Sequence, residues 1–295
     1  MTIPVAAHLT ALGLVTLDVL VRAARIRPLV PGTTNLSLGR AIAVNAYGET
    51  AAALTPGRVG GDPARYIGFH RAGVDSAGAL AALAVEALID WVLLLATAVL
   101  LAVLFGDAGA AGVRRLLDVA RSPQGRALIA VVLVVTVLGA FVARRLRRRL
   151  ATAATVPLAA AWQRARQLRW RTVALATALT AVSMVARTAV LPVLVAGHPE
   201  IHTGAVVLGS FALLYGQLFL PTPAGVGGVE LGFVGGFAGT LSAGDLAALL
   251  VAWRVYTLIL GATLGAVLAA RVGLARSLTS RRYSATSSVK VRSQR

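Results

Sequence analysis

The chain has 295 residues, of which 57% are hydrophobic and only 14% charged, and its mean hydropathy is +0.79. Soluble domains sit nearer about 45–50% apolar and about 25% charged, so a water-soluble globular fold is excluded. The formal charge of +18 does not point to nucleic acid: the 29 basic residues gather between apolar stretches, and all but Lys290 are arginine, as expected of loops on the cytoplasmic side of a membrane. Cysteine is absent, which removes disulfides, thiolate metal sites and cysteine nucleophiles. Met1–His8 carries no basic residue, so no cleavable signal peptide is expected.

Taken in order, residues 5–21 are a first span of marginal length, closed by Arg22, Arg25 and Arg27 and carrying Asp18. The arginines place that end in the cytoplasm and the N-terminus outside. Residues 36–54 are apolar but thin in large side chains, and the stretch after them, Pro63 to Arg71, is polar and basic. Residues 76–105 make a long tilted span containing Glu86 and Asp90, followed by an arginine-bearing loop over 107–126. A helix over 127–143 returns the chain to the basic run Arg144–Arg149, the strongest cytoplasmic signal present. Residues 151–171 mix Trp162 and Trp170 with four arginines and read either as an amphipathic helix on the anionic inner leaflet or as a solvated linker. Spans over 172–196, carrying Arg187, and over 245–270, carrying Arg254, flank a third apolar stretch at 203–220. The basic tail 273–295 is expected to be disordered and cytoplasmic.

One stretch occurs twice. Thr55-Pro56-Gly57-Arg58-Val59-Gly60-Gly61-Asp62 returns as Thr222-Pro223-Ala224-Gly225-Val226-Gly227-Gly228-Val229, followed by Glu230. Tyr47-Gly48 precedes the first copy and Tyr215-Gly216 the second. Proline, paired glycines and an acid inside apolar sequence predict helices broken at membrane depth, tolerated where protein or a wet cavity covers the backbone. With the charge bias, this predicts an all-α polytopic membrane protein built as an inverted repeat. Repeat one (5–105) and repeat two (172–270) are each span, re-entrant hairpin, span. The first hairpin opens to the cytoplasm and the second to the exterior, as in many secondary transporters. The alternative is that either hairpin is a pair of full spans.

Ionisable residues inside spans are costly and are paired or functional. Glu86 and Asp90 share a helix face four residues apart, so a basic partner is expected, with Arg254 as the candidate; Arg187 completes this intramembrane charge cluster. It serves either as a clamp between the repeats or in ion coupling. The breaks present backbone N–H groups and helix ends that favour an anion. This gives a candidate substrate site of Arg58, Gly60, Gly61, Asp62, Arg65, Gly225, Gly227, Gly228, Glu230 and Arg254. The alternative is that the glycines only permit close packing. Arg58 and Asp62 mark the first break while the second keeps only Glu230, an asymmetry that predicts a headgroup held first from the inside. His8, His70, His198 and His202 have no zinc-type spacing, and no nucleophile elbow or P-loop is present. No enzyme, metal or cofactor is therefore expected.

Pro56 to Asp62 with Arg65, then Glu86 and Asp90, then Pro223 to Glu230 with Arg254, resemble the lysylphosphatidylglycerol synthase transmembrane region, also called the flippase-like domain family. The likeness covers residues 5–270 within a transmembrane domain at 1–272. It implies movement of a lipid with a polar headgroup between leaflets. In the multiple peptide resistance factor proteins such a region is joined to a soluble aminoacyl-transferase domain; only the tail follows here, so synthase activity is not carried over. The resemblance thus implies a plasma-membrane flippase-like transporter of a phospholipid, aminoacylated lipid or lipid-linked glycan intermediate. The alternative is a non-transporting scaffold for a lipid-modifying or glycosyl-transferring enzyme of the cell envelope.

Overall fold

A computed structural model describes residues 3–30, 36–121, 126, 130, 158–198, 201–237 and 239–271. The expectations for 127–143, for Arg144–Arg149 and for the tail 273–295 lie outside the described residues. The described elements are all helical: α1 (Val5–Leu29), α2 (Leu38–Leu54), α3 (Gly61–Arg71), α4 (Ser76–Arg121), α5 (Leu158–Arg166), α6 (Trp170–Leu194), α7 (Thr203–Gly216), α8 (Gly228–Phe237) and α9 (Ala243–Arg254). A 3₁₀ turn, Gln217–Phe219, extends α7. A π-turn, Val255–Ile259, carries α9 onward, so that the whole helix spans Ala243–Arg271.

Four of these helices are long and apolar enough to cross a membrane: Val5–Leu29, Ser76–Asp107, Trp170–Leu194 and Ala243–Arg271. The outer face of α4 exposes Leu88, Trp91, Val92, Leu95 and Val99, an apolar surface suited to lipid rather than water. Three boundaries differ from expectation. The first span does not stop at residue 21; α1 continues through Arg22, Arg25 and Arg27 because carboxylates of other helices and a backbone carbonyl take up their charge and donors. The stretch after Asp107 is helical to Arg121 rather than a loop, bent at Phe105, whose φ of −131° and ψ of 23° leave the helical region. Within the amphipathic segment the helix Leu158–Arg166 ends before residue 171, and Trp170 already opens α6; Trp162 and Trp170 are exposed.

α2/α3 and α7/α8 are short pairs joined by the two motif copies. α2 begins under an N-cap: Ser37 Oγ accepts from Arg40 N–H at 3.4 Å. It ends where Pro56 forces Thr55 into an extended conformation. Thr55 Oγ1 then donates to Ala51 O at 2.7 Å and accepts from Gly60 N–H at 2.9 Å, tying the last turn of α2 to the start of α3. Within the breaks two successive residues take positive φ at the same motif positions. They are Gly57 (56°) and Arg58 (58°) in the first, Ala224 (52°) and Gly225 (67°) in the second. The left-handed conformation reverses the chain without using the helical ladder. The two breaks also touch: Pro56 and Pro223 form an isolated antiparallel bridge, and Gly57 N–H donates to Leu220 O at 3.1 Å.

Two large apolar cores and a smaller one, Leu94, Leu101, Met184 and Phe211, hold the described helices together. One large core gathers Ile26, Leu29, Val44, Phe69 and Ile89 around α1 to α4; the other gathers Leu191, Leu194, Val229, Phe233, Leu249 and Trp253 from α6 to α9. α1 and α6 form the most extensive helix pair and stitch the cores together.

Candidate functional site

The interface between α1 and α6 is polar at its centre, and that is where the site is built. Asp18, Arg22 and Arg25 follow one another at spacings of four and three, so they share one face of α1. Asp18 accepts a hydrogen bond from Ser183 Oγ at 2.5 Å and lies 3.4 Å from Arg187 Nε, both on α6. Arg25 Nη1 donates to Thr180 Oγ1 at 2.8 Å and to Asp90 Oδ1 at 2.5 Å, while its Nη2 binds Glu86. The other oxygen of Glu86 binds Arg65 of α3, so this carboxylate, 1% exposed, is clamped between two guanidiniums. Arg254 is not its partner. Glu86 and Asp90 are neutralised within the first half of the chain, by Arg25 and Arg65, which lie closer in the fold.

A second carboxylate, Glu49 of α2, collects three more arginines. Its Oε1 pairs with Arg22 and lies 3.7 Å from Arg187 Nη1; its Oε2 accepts from Arg58 Nη2 at 2.7 Å. Arg187 also reaches Thr257 O in the π-turn at 3.4 Å, where the wider helical turn loosens the backbone ladder. Removing the shared carboxylate from such a buried cluster costs about 3–5 kcal/mol, because the arginines around it are then stranded. The glycine of the Tyr47-Gly48 pair is required for another reason: a side chain there would collide with the Arg65 stem.

Beside these charges lies a cavity of about 400 Å³, within the range of small-ligand sites. Its floor is Arg22, Glu49, Arg58 and Arg187, and its walls include Leu83, Trp91, Leu94, Met184, Leu214 and Leu218. The lining residues most exposed to the surface are Val59, Asp62 (side chain 71%), Asp90 (45%) and Trp91. The opening therefore lies between the first break and the apolar outer face of α4.

Of the residues singled out from sequence, Arg58, Gly61, Asp62, Arg65, Asp90 and Arg187 line this cavity, and Glu86 is buried close by. Gly60, Gly225, Gly227, Gly228, Glu230 and Arg254 do not line it. Arg254 Nε donates to Glu230 Oε1 at 2.9 Å and its Nη1 to Ala224 O at 3.1 Å, while Glu230 Oε2 accepts from Gly227 N–H at 2.6 Å. These two side chains close a circuit over the second break.

Sequence reading missed Arg22, Arg25 and Glu49. The first two were read as a span end, although their spacing with Asp18 already marked a helix face. Glu49 had a signal too: it follows Tyr47-Gly48 as Gln217 follows Tyr215-Gly216, and both line the cavity.

The Lysylphosphatidylglycerol synthase TM region family matches residues 2–265. The chain belongs to that family. A search of curated proteins and a search of solved structures each returned no match. Membership, with four helices able to span, makes this a multi-pass membrane protein with a domain associated with lipid handling.

Proposed function

We propose that the chain is a flippase-like transporter that moves a lipid with an anionic or polar headgroup between the leaflets of a plasma membrane. One observation carries the reading: a cavity beside the first break is lined both by charged side chains, Arg22, Glu49, Arg58 and Arg187, and by apolar ones. Of its lining residues, Asp62, Asp90 and Trp91 reach the surface, Trp91 on the apolar outer face of α4. A lipid needs both surfaces at once, polar groups for its head and apolar cover for its tails. The motif copies are read as halves of an inverted repeat whose broken helices meet at the substrate site. The basic tail is placed in the cytoplasm, and the headgroup is engaged first at the Arg58 break.

Reconstituted protein should speed the loss of inner-leaflet protection of a fluorescent phosphatidylglycerol from an impermeant quencher, and Arg58→Gln should abolish the gain. Rates equal to those of empty vesicles across anionic, zwitterionic and glycolipid probes would overturn the proposal. Co-purification of an envelope enzyme in the absence of lipid exchange would favour a scaffold instead.

A further inference from the structure

Three guanidiniums, from Arg22, Arg58 and Arg187, converge on both oxygens of one carboxylate, Glu49, and all four side chains line the cavity. Asp18, 4.0 Å from Arg22 and 3.4 Å from Arg187, provides further negative charge to this group, and the field of Glu86 also reaches Arg22. Three guanidiniums thus share the two nearest carboxylates among the described residues. Arg58 stands at φ 58°, the left-handed region, where the matched position of the second break is Gly225. Placing a side chain there costs about 1–2 kcal/mol, and strain of that kind is characteristic of functional positions. The residue that follows the second Tyr-Gly pair, which sits one position closer to its motif than the first does, is Gln217, and it also lines the cavity. One half thus carries the carboxylate, the other its neutral amide.

We infer that Arg22, Arg58 and Arg187 form a binding site for one phosphate group, in which the Glu49 carboxylate stands in for the ligand until phosphate displaces it. This rests on the transport reading, and goes beyond it in naming the group recognised and the side chain that competes for it. Planar guanidiniums bind carboxylate and phosphate oxygens in the same way, and phosphate offers more oxygens to share among three forks. A carboxylate and a phosphodiester carry the same charge, so the exchange leaves the balance of the floor unchanged. The Glu49 side chain is 14% exposed and borders the cavity, so on release its carboxylate turns into the cavity and keeps water. Glu49 then sets the affinity low enough for the phosphate to leave again.

The test is calorimetric titration of the detergent-purified full chain with dihexanoylphosphatidylglycerol, inorganic phosphate and, as the phosphate-free probe, dihexanoylglycerol. Glu49→Gln, which reproduces the residue of the other repeat, should bind the phospholipid at least about tenfold more tightly, the scale of one charge-assisted hydrogen bond. Arg58→Gln and Arg187→Gln should each bind it at least about tenfold more weakly, and dihexanoylglycerol should show no such response. A folded Glu49→Gln protein with unchanged or weaker affinity overturns the inference. Should that variant not fold, unchanged affinity in Arg58→Gln overturns it equally. Inorganic phosphate bound as tightly as the phospholipid keeps the phosphate site and assigns it to the free ion. Lipid exchange measured separately distinguishes the two proposals: exchange with no effect of Glu49→Gln on affinity removes the competitor, whereas a gain in affinity without exchange removes the transport reading.

Discussion

The two breaks share a sequence pattern and the same pair of left-handed positions, although Gly227 adds a third (φ 90°) where Gly60 is helical (φ −77°), and their charged residues do different work. At the second, Arg254 and Glu230 satisfy each other together with the Ala224 carbonyl and the Gly227 N–H, away from the cavity. At the first, Arg58 reaches back to Glu49, which it shares with Arg22 and Arg187 on the cavity floor. The same motif therefore provides one locked turn and one turn whose side chain is committed to a network shared with two other arginines. An arginine in a break is not evidence of substrate contact until its partner is known. A closed pair reads as structure, whereas a carboxylate shared by three cations reads as a site.

The largest expected effect tests the frame on which both breaks depend. Glu86→Gln removes the buried carboxylate that Arg25 and Arg65 share, leaving Arg25 to Asp90 and Arg65 to the exposed Asp62. It should lower stability by about 3 kcal/mol, read as a lowered thermal unfolding midpoint in detergent. Next comes the lock. Arg254→Ala should cost about 2–3 kcal/mol, the scale of hydrogen bonds to a charged group, and Arg254→Ala with Glu230→Ala should cost little more than either alone, because the two act as one unit. Arg58→Gln should behave differently, since Glu49 keeps Arg22 and Arg187: lipid exchange falls while the unfolding midpoint changes little. Equal stability losses in Arg58→Gln and Arg254→Ala would erase the distinction between the breaks.

Smaller effects test whether the backbones of the breaks are equivalent. Gly57 and Ala224 occupy the same motif position with φ of 56° and 52°. A methyl group at Gly57 meets only ordinary van der Waals contacts, the nearest being Leu218 O at 3.6 Å, so the cost of Gly57→Ala is conformational, about 1 kcal/mol. Ala224→Gly removes the same strain and should raise stability by up to about 1 kcal/mol. Opposite signs in paired unfolding measurements would establish the equivalence. A loss in both would show that packing at Ala224, which is buried, outweighs its dihedral strain.

The membrane class, the repeated break and the cluster at Glu86 and Asp90 were legible because each leaves a local mark: long apolar runs, a recurring Pro-Gly pattern, two acids on one helix face. The pairing was not. The expected repeat sets the span of Arg254 against the one carrying Glu86, and that expectation suggested a contact between them. The fold instead brings Arg25 and Arg65 to Glu86 from α1 and α3. Arginines beyond a span of marginal length look like a cytoplasmic flank, because hydropathy counts charge and not neutralisation. Glu49, Asp90 and Glu86 are what turn that flank into the interior of α1. Such partners, tens of residues away in sequence, are invisible to any window.

The smallest effect lies outside the comparison and calibrates it. Arg164 of α5 donates to Asp75, just before α4, at 2.6 Å, closer than the Arg58–Glu49 contact. Distance alone would rank it among the strongest pairs. Yet both side chains are exposed, water screens the attraction, and two mobile chains must be held to make it, so such pairs contribute about 0.2–1 kcal/mol. Arg164→Gln should accordingly shift the unfolding midpoint by little, and by less still in high salt. It should leave lipid exchange unchanged. If it instead cost as much as Arg254→Ala, α5 would be anchoring the start of α4, and with it Glu86 and Asp90; the boundary between frame and site would then have to include it.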